Sequence, residues 1–189
     1  MVVTEEGFEE YKDLINVLEN ISDNNLISAF NSRKESRRDI KSLSEPINNL
    51  IKERLLEYGW SPESGLFKEP PYNKKNIKRW RLDFALNNIS VEVAFNHGEA
   101  IAHNIMKPVL ASEKNHVEKE VETKLGVIIT ATELMKKKGG FDGAVGTFEK
   151  YQEYFKPYNM LIPTPIVLIG INAPETFEIV DKEIIYYSK

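Results

Sequence analysis

Two adjacent asparagines, Asn87 and Asn88, separate two runs that are rich in apolar and β-branched residues, at positions 80–86 and 89–95. Asparagine tolerates the positive φ angles of a two-residue turn, so the pattern predicts a tight β-hairpin with the two asparagines as its loop. In that register Asp83 on the first strand lies directly opposite Glu92 on the second, with their Cβ atoms about 5 Å apart. The hairpin therefore brings two carboxylates together.

The two faces of the predicted hairpin differ in polarity. One face carries apolar side chains: Trp80, Leu82, Phe84, Leu86, Ile89, Val91, Val93 and Phe95. The other, which we interpret as the working face, carries Arg81, Asp83, Ala85, Ser90, Glu92, Ala94 and Asn96. Like charges placed opposite each other repel, and a divalent cation between them is the simplest way to offset that repulsion. The alternative is a solvated amphipathic hairpin whose acids only keep it soluble.

The composition is that of one globular domain. The chain has 189 residues, 41% hydrophobic and 29% charged, and we expect a single domain with a helical part at 1–60, a catalytic core at 78–171 and a tail at 172–189. The sequence lacks a long apolar run and a basic-then-apolar start, so we expect no membrane partner and a cytoplasmic location. The absence of cysteine excludes disulfides and thiolate ligands. The formal charge of −4 argues against bulk binding to nucleic acid, but not against a local basic surface.

Hydrophobic periodicity predicts helices before the hairpin and alternating strands and helices after it. We expect helices at 5–20 and 44–59, a short helix or turn at 24–30, and polar connections at 31–39 and 61–76. After the hairpin we expect a helix at 99–111 interrupted or bent at Pro108, buried strands at 125–131 and 162–171, helices at 132–138 and 148–155, and an edge strand at 177–187. The predicted fold class is α/β, with a mixed central sheet flanked by helices.

The acid pair and its flanking segments resemble the PD-(D/E)xK nuclease superfamily, and within it the type II restriction endonucleases of the BglII kind. In that family a hairpin presents an aspartate, then a glutamate that is followed by a third polar residue. Asp83 matches the first acid, and Glu92 in the segment VEVA matches the second. The similarity extends over residues 24–171, including SRK at 32–34, FNHG at 95–98, the strand at 126–130, the glycine pair at 139–140 and PTP at 163–165. It implies a restriction-endonuclease-like core.

The resemblance also implies an activity, the Mg²⁺-dependent hydrolysis of double-stranded DNA at a short palindrome. Asp83 and Glu92 would be catalytic and would coordinate Mg²⁺, with the carbonyl of Val93 as a neutral ligand. An acid from the preceding helix completes some sites of this kind, and Glu53 and Glu45 are candidates. The alternative for each is a solvated surface glutamate.

One position departs from the family pattern. The third motif residue is Ala94, which can neither orient water nor bind a metal. Arg81, opposite Ala94 in the hairpin register, is the candidate catalytic replacement, acting as an electrostatic clamp on the scissile phosphate. Lys107 and His97 are further candidates. The alternatives are that Arg81 pairs with Asp83, that Lys107 is solvated and that His97 caps a turn.

DNA binding requires cationic and amide side chains near the acids. Basic clusters at 32–38, 74–79 and 136–138 meet this requirement. In them and at the end of the hairpin, the candidate DNA-binding residues are Arg33, Lys34, Lys75, Lys78, Lys138, Asn96 and His97. The alternative for each cluster is a solvated charged surface.

Three functions fit these features. The first is a restriction endonuclease, whose palindromic target implies a two-fold homodimer and whose host would carry a cognate DNA methyltransferase. The second is a DNA-binding protein on the same fold that no longer cuts, which Ala94 favours. The third is an unrelated α/β interaction protein whose hairpin is only structural and which has no affinity for DNA or Mg²⁺.

Overall fold

A five-stranded mixed sheet forms the centre of the molecule. The computed structural model describes residues 9–36, 40–74, 76–113 and 116–188, apart from the side chain of Lys78. The strands are β1 (Ser61–Gly65), β2 (Arg81–Leu86), β3 (Ile89–Val93), β4 (Leu125–Ala131) and β5 (Ile166–Ile171), in the order β1-β2-β3-β4-β5. The first three strands pair antiparallel, and β3, β4 and β5 pair parallel. The predicted mixed α/β sheet is confirmed.

Helices cover both faces of this sheet. They are α1 (Glu9–Glu19), α2 (Asp23–Ser36), α3 (Ser44–Glu57), α4 (Ile101–Ser112), α5 (Glu133–Lys138) and α6 (Phe148–Tyr158). On one face α1, α2 and α3 contribute Leu14, Phe30 and Ile51 to the main core, which also contains Phe84 and Val91 of the hairpin. On the other face α4 and α6 form a second core with β3 and β4, made of Ala94, Ile101, Ile105, Ile128 and Tyr151. The hairpin therefore lies between two packed layers.

Three segments differ from the sequence-based expectations. Helix α2 continues through residues 31–36, which we expected to form a polar loop, because a helix with a narrow apolar stripe accepts polar residues elsewhere on its surface. Residues 61–65 form strand β1 instead of an irregular connection. Pairing with β2 supplies the hydrogen bonds that this polar segment would not obtain alone, and an edge position tolerates Pro62. Helix α4 continues through Pro108, so the interruption that we considered at this residue does not occur.

The tail also differs from the expected single edge strand. It forms a separate antiparallel pair, β6 (Phe177–Val180) and β7 (Glu183–Tyr186). The turn residues Asp181 and Lys182 have φ angles of 51° and 68°, as a tight hairpin with positive φ at both central positions requires. Phe177 and Ile179 are buried in the main core, so the hairpin packs on the body of the protein.

Strand β4 agrees with the prediction, whereas β5 begins at Ile166 instead of 162 and its residues are half-buried, because β5 lies at the edge of the sheet. Every residue of β4 is buried, as expected of a parallel strand with helices on both faces.

None of the helices in the described part of the chain combines the length and the apolar character that a membrane-spanning helix needs.

Candidate active site

The hairpin of β2 and β3 has the predicted register. Phe84 pairs with Val91, and Leu86 pairs with Ile89 across the turn. Asn87 has a φ of 46°, which an asparagine adopts at lower cost than most residues. Asp83 and Glu92 come next along the two strands, beyond the last paired residues, so both acids lie where the strands begin to separate.

The backbone at the end of β3 holds the first acid. Asp83 Oδ2 accepts a hydrogen bond of 2.7 Å from the backbone amide of Val93. The neighbouring strand is irregular at the same level, because Glu63, between the paired residues Pro62 and Ser64, has a φ of 51°. The apolar alternation also breaks here: Leu82 packs in a separate cluster from Phe84.

The second acid is buried, which corrects our interpretation of the polar hairpin face as an open working face. Glu92 is 2% exposed, and Ser90 and Ala94 on the same face are also buried. The cause is α4, which packs across this face. The polar residues Ser90 and Glu92, two positions apart on one face of β3, thus lie inside the protein, because both faces of the strand are covered.

Helix α4 delivers a cation to the acids. Lys107 Nζ forms an ion pair with Glu92 Oε2, and both side chains are almost fully buried. The same ammonium donates a hydrogen bond of 3.0 Å to the backbone carbonyl of Arg81 at the start of β2. Lys107 is therefore not solvated, which was the alternative for this residue.

The environment disfavours two negative charges in the absence of a cation. Burial, together with the charge of Asp83, raises the pKa of Glu92 to about 8, although Lys107 acts in the opposite direction. Burial also raises the pKa of Asp83, against the effects of Lys107 and of the Val93 amide. A buried carboxyl whose pKa is raised by burial and by a neighbouring acid is a common feature of functional sites.

One atom of this pair lacks a partner. Glu92 Oε1 is buried and makes no hydrogen bond within the described part of the chain. An orphaned carboxylate oxygen beside a second acid fits a hard divalent cation, which prefers oxygen ligands. The protein donors are few, since no group of three or more histidine, aspartate or glutamate side chains in the described residues is arranged to hold a metal. A cation here would keep several waters, as Mg²⁺ does in many sites.

A cavity of about 230 Å³ opens beside the first acid. Asp83 and Val93 line it from the hairpin, and Glu63 lines it from β1. Its opposite wall is α3, which contributes Asn48, Asn49 and Lys52. Sequence reasoning missed these residues of α3, although positions 48 and 52 are one helical turn apart and share a face. Nothing local to α3 indicates that this face meets the hairpin.

The acids predicted on α3 lie elsewhere. Glu53 is exposed and does not line the cavity beside Asp83. Glu45 forms an ion pair with Arg33 of α2. The accessory roles of Glu53 and Glu45 stay predictions.

The structure also locates the third motif position, Ala94, and Arg81, the candidate replacement opposite it. Ala94 is 2% exposed and packs among apolar side chains. Arg81, across the hairpin, donates a hydrogen bond of 2.7 Å from Nη1 to the backbone carbonyl of Glu63. That contact directs the guanidinium towards β1, and the catalytic role of Arg81 stays a prediction.

The two polar residues that follow β3 lie at the surface. Asn96 and His97 are exposed. Asn96 Oδ1 accepts a hydrogen bond of 3.0 Å from Asn104 Nδ2, and the same nitrogen donates to Tyr151 Oη at 2.8 Å. The buried Asn104 thus connects an exposed amide to α6, a link that sequence reasoning missed.

The basic candidates for DNA binding are mostly engaged within the chain. Arg33 pairs with Glu45, and Lys34 pairs with Glu183. Lys138 Nζ lies 4.4 Å from the ring centroid of Tyr187. Lys75 and the side chain of Lys78 lie outside the described residues. DNA binding by these five residues stays a prediction.

Comparison with known proteins connects this site to a family. Residues 2–171 match the family model described as restriction endonuclease BglII/BglIII. The crystal structure of restriction endonuclease BglII complexed with a DNA 16-mer is similar to this chain, with a TM-score of 0.54 and 20% sequence identity. The similarity covers 70% of this chain and 56% of that chain, so this chain spans little more than half the length of that protein. It shows a restriction-endonuclease-like fold. No curated protein matches the sequence.

Proposed function

The chain belongs to the BglII/BglIII family of restriction endonucleases, and we propose that it is a sequence-specific endonuclease that hydrolyses double-stranded DNA with Mg²⁺ as cofactor. Family membership contradicts the third function considered above, an unrelated interaction protein. Family membership by itself does not establish the metal, the DNA substrate or the cleavage reaction, which we propose.

The acid pair is the observation that carries this proposal. Asp83 is held by the Val93 amide at the mouth of a cavity, and Glu92 has a buried oxygen without a partner within the described residues. A structural pair of acids would be expected to have its oxygens satisfied, because leaving a buried carboxylate oxygen unpaired costs free energy. An acid that lines a cavity, as Asp83 does, next to a second acid with an unsatisfied oxygen is typical of a functional site.

Each part of the site has a distinct task in phosphodiester hydrolysis. Asp83 and Glu92 would hold Mg²⁺, with the Val93 carbonyl as a further oxygen donor. The bound ion would lower the pKa of a coordinated water and neutralise charge on the phosphate. The attacking water adds its oxygen to phosphorus and loses a proton to solvent, while the 3′ oxygen leaves and takes up a proton. Lys52 and the amides of Asn48 and Asn49, across the cavity, would contact backbone phosphates.

The target and the assembly follow from the class of enzyme. A short palindrome is read most simply by a two-fold homodimer, since the symmetry of the protein mirrors that of the site. Asn96 and His97 are exposed beyond the acids and are the proposed contacts to bases or phosphates. We also expect a cognate DNA methyltransferase that protects host sites in the cytoplasm.

The second candidate function is sequence-specific DNA binding without cleavage. The observation in its favour is Ala94, which puts a buried methyl group where a functional third residue is expected. Both candidate proteins would have this fold and bind DNA. They differ only in whether the bound DNA is cleaved.

The experiment that tests the proposal is incubation of the protein with unmethylated plasmid and phage DNA, with and without Mg²⁺, followed by sequencing of the fragment ends. Discrete fragments that require Mg²⁺ would support the endonuclease and identify its target. Sequence-specific gel shifts in Ca²⁺ without cleavage in Mg²⁺ would favour the binding protein. Neither cleavage nor binding would overturn both.

A further inference from the structure

We propose that Lys107, delivered from α4, supplies the positive charge at the acid pair that the third motif position at Ala94 does not provide. This inference rests on the proposed endonuclease function and names a further residue of its site.

The side chain at position 94 cannot supply this positive charge. The Ala94 side chain is a methyl group that is 2% exposed, and it packs with Ile101 and Ile105 of α4. A longer polar side chain at that position would have to enter this apolar cluster. The charge at the acids must therefore come from another element.

Lys107 lies on α4, the helix that covers the acid pair, and contacts the acids from there. It is 7% exposed, its Nζ pairs with Glu92 Oε2, and its charge acts on Asp83 as well. An ammonium has three donors, and within the described part of the chain two of them are used, by Glu92 and by the Arg81 carbonyl. One donor is left for an oxygen of a bound phosphate.

Close packing of α4 on the sheet makes this reach possible. A Cβ added to Gly126 of β4 would lie 2.5 Å from Cβ of Pro108, so the helix approaches the strand at a distance that a glycine alone permits. Lys107 precedes Pro108 and is anchored by that contact. Its ammonium is held by packing and by the Arg81 carbonyl, and such a fixed charge is more effective at a transition state than a mobile one.

Arg81, the other cation near the site, is oriented differently. Its guanidinium donates to the Glu63 carbonyl on β1, whereas its own backbone carbonyl accepts from Lys107. Arg81 therefore positions Lys107 through its backbone carbonyl, and the lysine is the group that contacts the reacting phosphate.

The test compares three variants of the full chain with the wild type. Lys107→Met removes the charge and keeps the apolar volume. Lys107→Gln also removes the charge but keeps donors for Glu92 and the Arg81 carbonyl, which protects the fold if the methionine variant is unstable. Lys119→Met is the matched control, because Lys119 is a half-buried lysine whose Nζ donates to a backbone carbonyl, that of Ala111, at 3.1 Å.

Three quantities are measured for each variant: the single-turnover cleavage rate in Mg²⁺, DNA affinity by gel shift in Ca²⁺, and Ca²⁺ affinity by calorimetry. We expect Lys107→Gln to cleave at least about 100-fold more slowly, with DNA affinity retained and Ca²⁺ affinity equal or higher, since a cation that competes for Glu92 is gone. Lys119→Met should match the wild type.

Cleavage by both Lys107 variants at the wild-type rate would overturn the inference. Loss of Ca²⁺ binding in a folded Lys107→Gln protein would also overturn it, because the lysine would then act by holding Glu92 for the metal. A wild-type protein that binds neither Ca²⁺ nor DNA would overturn the proposed function together with this inference, and so the two failures are distinguishable.

Discussion

Asp83 and Val93 are joined by a hydrogen bond of 2.7 Å from the backbone amide of Val93 to Asp83 Oδ2. The bond ties a carboxylate on one strand of the hairpin to the residue that follows Glu92 on the other. It fixes the relative position of the two acids without using the side chain of Glu92, whose Oε1 has no partner in the described part of the chain.

The acids should be essential for chemistry and dispensable for DNA binding. We expect Asp83→Asn and Glu92→Gln to lower the Mg²⁺-dependent cleavage rate by more than the roughly 100-fold that loss of a group supporting a metal ligand can cost. Gel shifts without divalent cations should show unchanged affinity. Glu57→Gln, on an exposed carboxylate at the end of α3, is the control. If either acid variant cuts at the normal rate, the assignment of the site is wrong.

Lys52 should contribute to DNA binding through the phosphates. It lines the cavity opposite Asp83, and loss of one phosphate contact lowers the slope of log affinity against log salt concentration by about 1. We expect this change for Lys52→Ala, measured by fluorescence anisotropy over a salt series. Lys124→Ala is the control, since Lys124 is exposed beside the hairpin turn at the other end of the strands. Equal slopes for the two variants would remove α3 from the DNA interface.

The bond between Asn104 and Tyr151 should stabilise the fold. Asn104 is 2% exposed and donates to Tyr151 Oη at 2.8 Å, so Tyr151→Phe leaves a buried donor unsatisfied at a cost of about 1–3 kcal/mol. Urea unfolding measures this difference. Tyr154→Phe on the exposed side of α6 should change little, because Tyr154 is 37% exposed. A Tyr151→Phe protein as stable as the wild type would show that the bond contributes nothing.

Stability of the metal-free protein should fall as pH rises. The pKa of Glu92 is raised from 4.5 to about 8 by burial and by Asp83, so the native state binds one more proton than the unfolded chain between these values. The contribution of this proton to the free energy of unfolding is fully present below pH 4.5 and is lost towards pH 8. The limiting slope is on the order of 1.4 kcal/mol per pH unit. Unfolding by urea at several pH values measures the slope.

Glu92→Gln is the control for this titration. The amide keeps the volume of the side chain and cannot ionise, so its stability should depend less on pH over the same window. The same decline in both proteins would mean that another group causes it.

The hairpin and its register were predictable because they depend on neighbouring residues in the chain. Alternation of apolar residues and two asparagines that tolerate positive φ are sufficient to place Phe84 against Val91. The buried strand β4 was predictable for a similar reason, as a short continuous apolar run. Strand β1 was not predictable, because the segment SPESG has little β propensity and becomes a strand through its pairing with β2.

The basic clusters also depend on contacts that the local sequence does not reveal. Arg33 and Lys34 form a run that suggests a nucleic-acid surface, but their partners come from other elements, Glu45 from α3 and Glu183 from β7. A charge in a sequence does not reveal whether it is already neutralised, since ion pairs form between residues of any separation.

The sequence by itself determined that two acids meet at the end of a β-hairpin within a mixed α/β fold, because strand register follows from local alternation and turn chemistry. The tertiary structure alone decided what surrounds them. Burial of Glu92 beneath α4, the approach of Lys107 to it and the wall formed by Lys52 each depend on how separate elements pack. Packing is set by the shapes of whole faces, such as the contact of Pro108 with Gly126, and no local pattern encodes it.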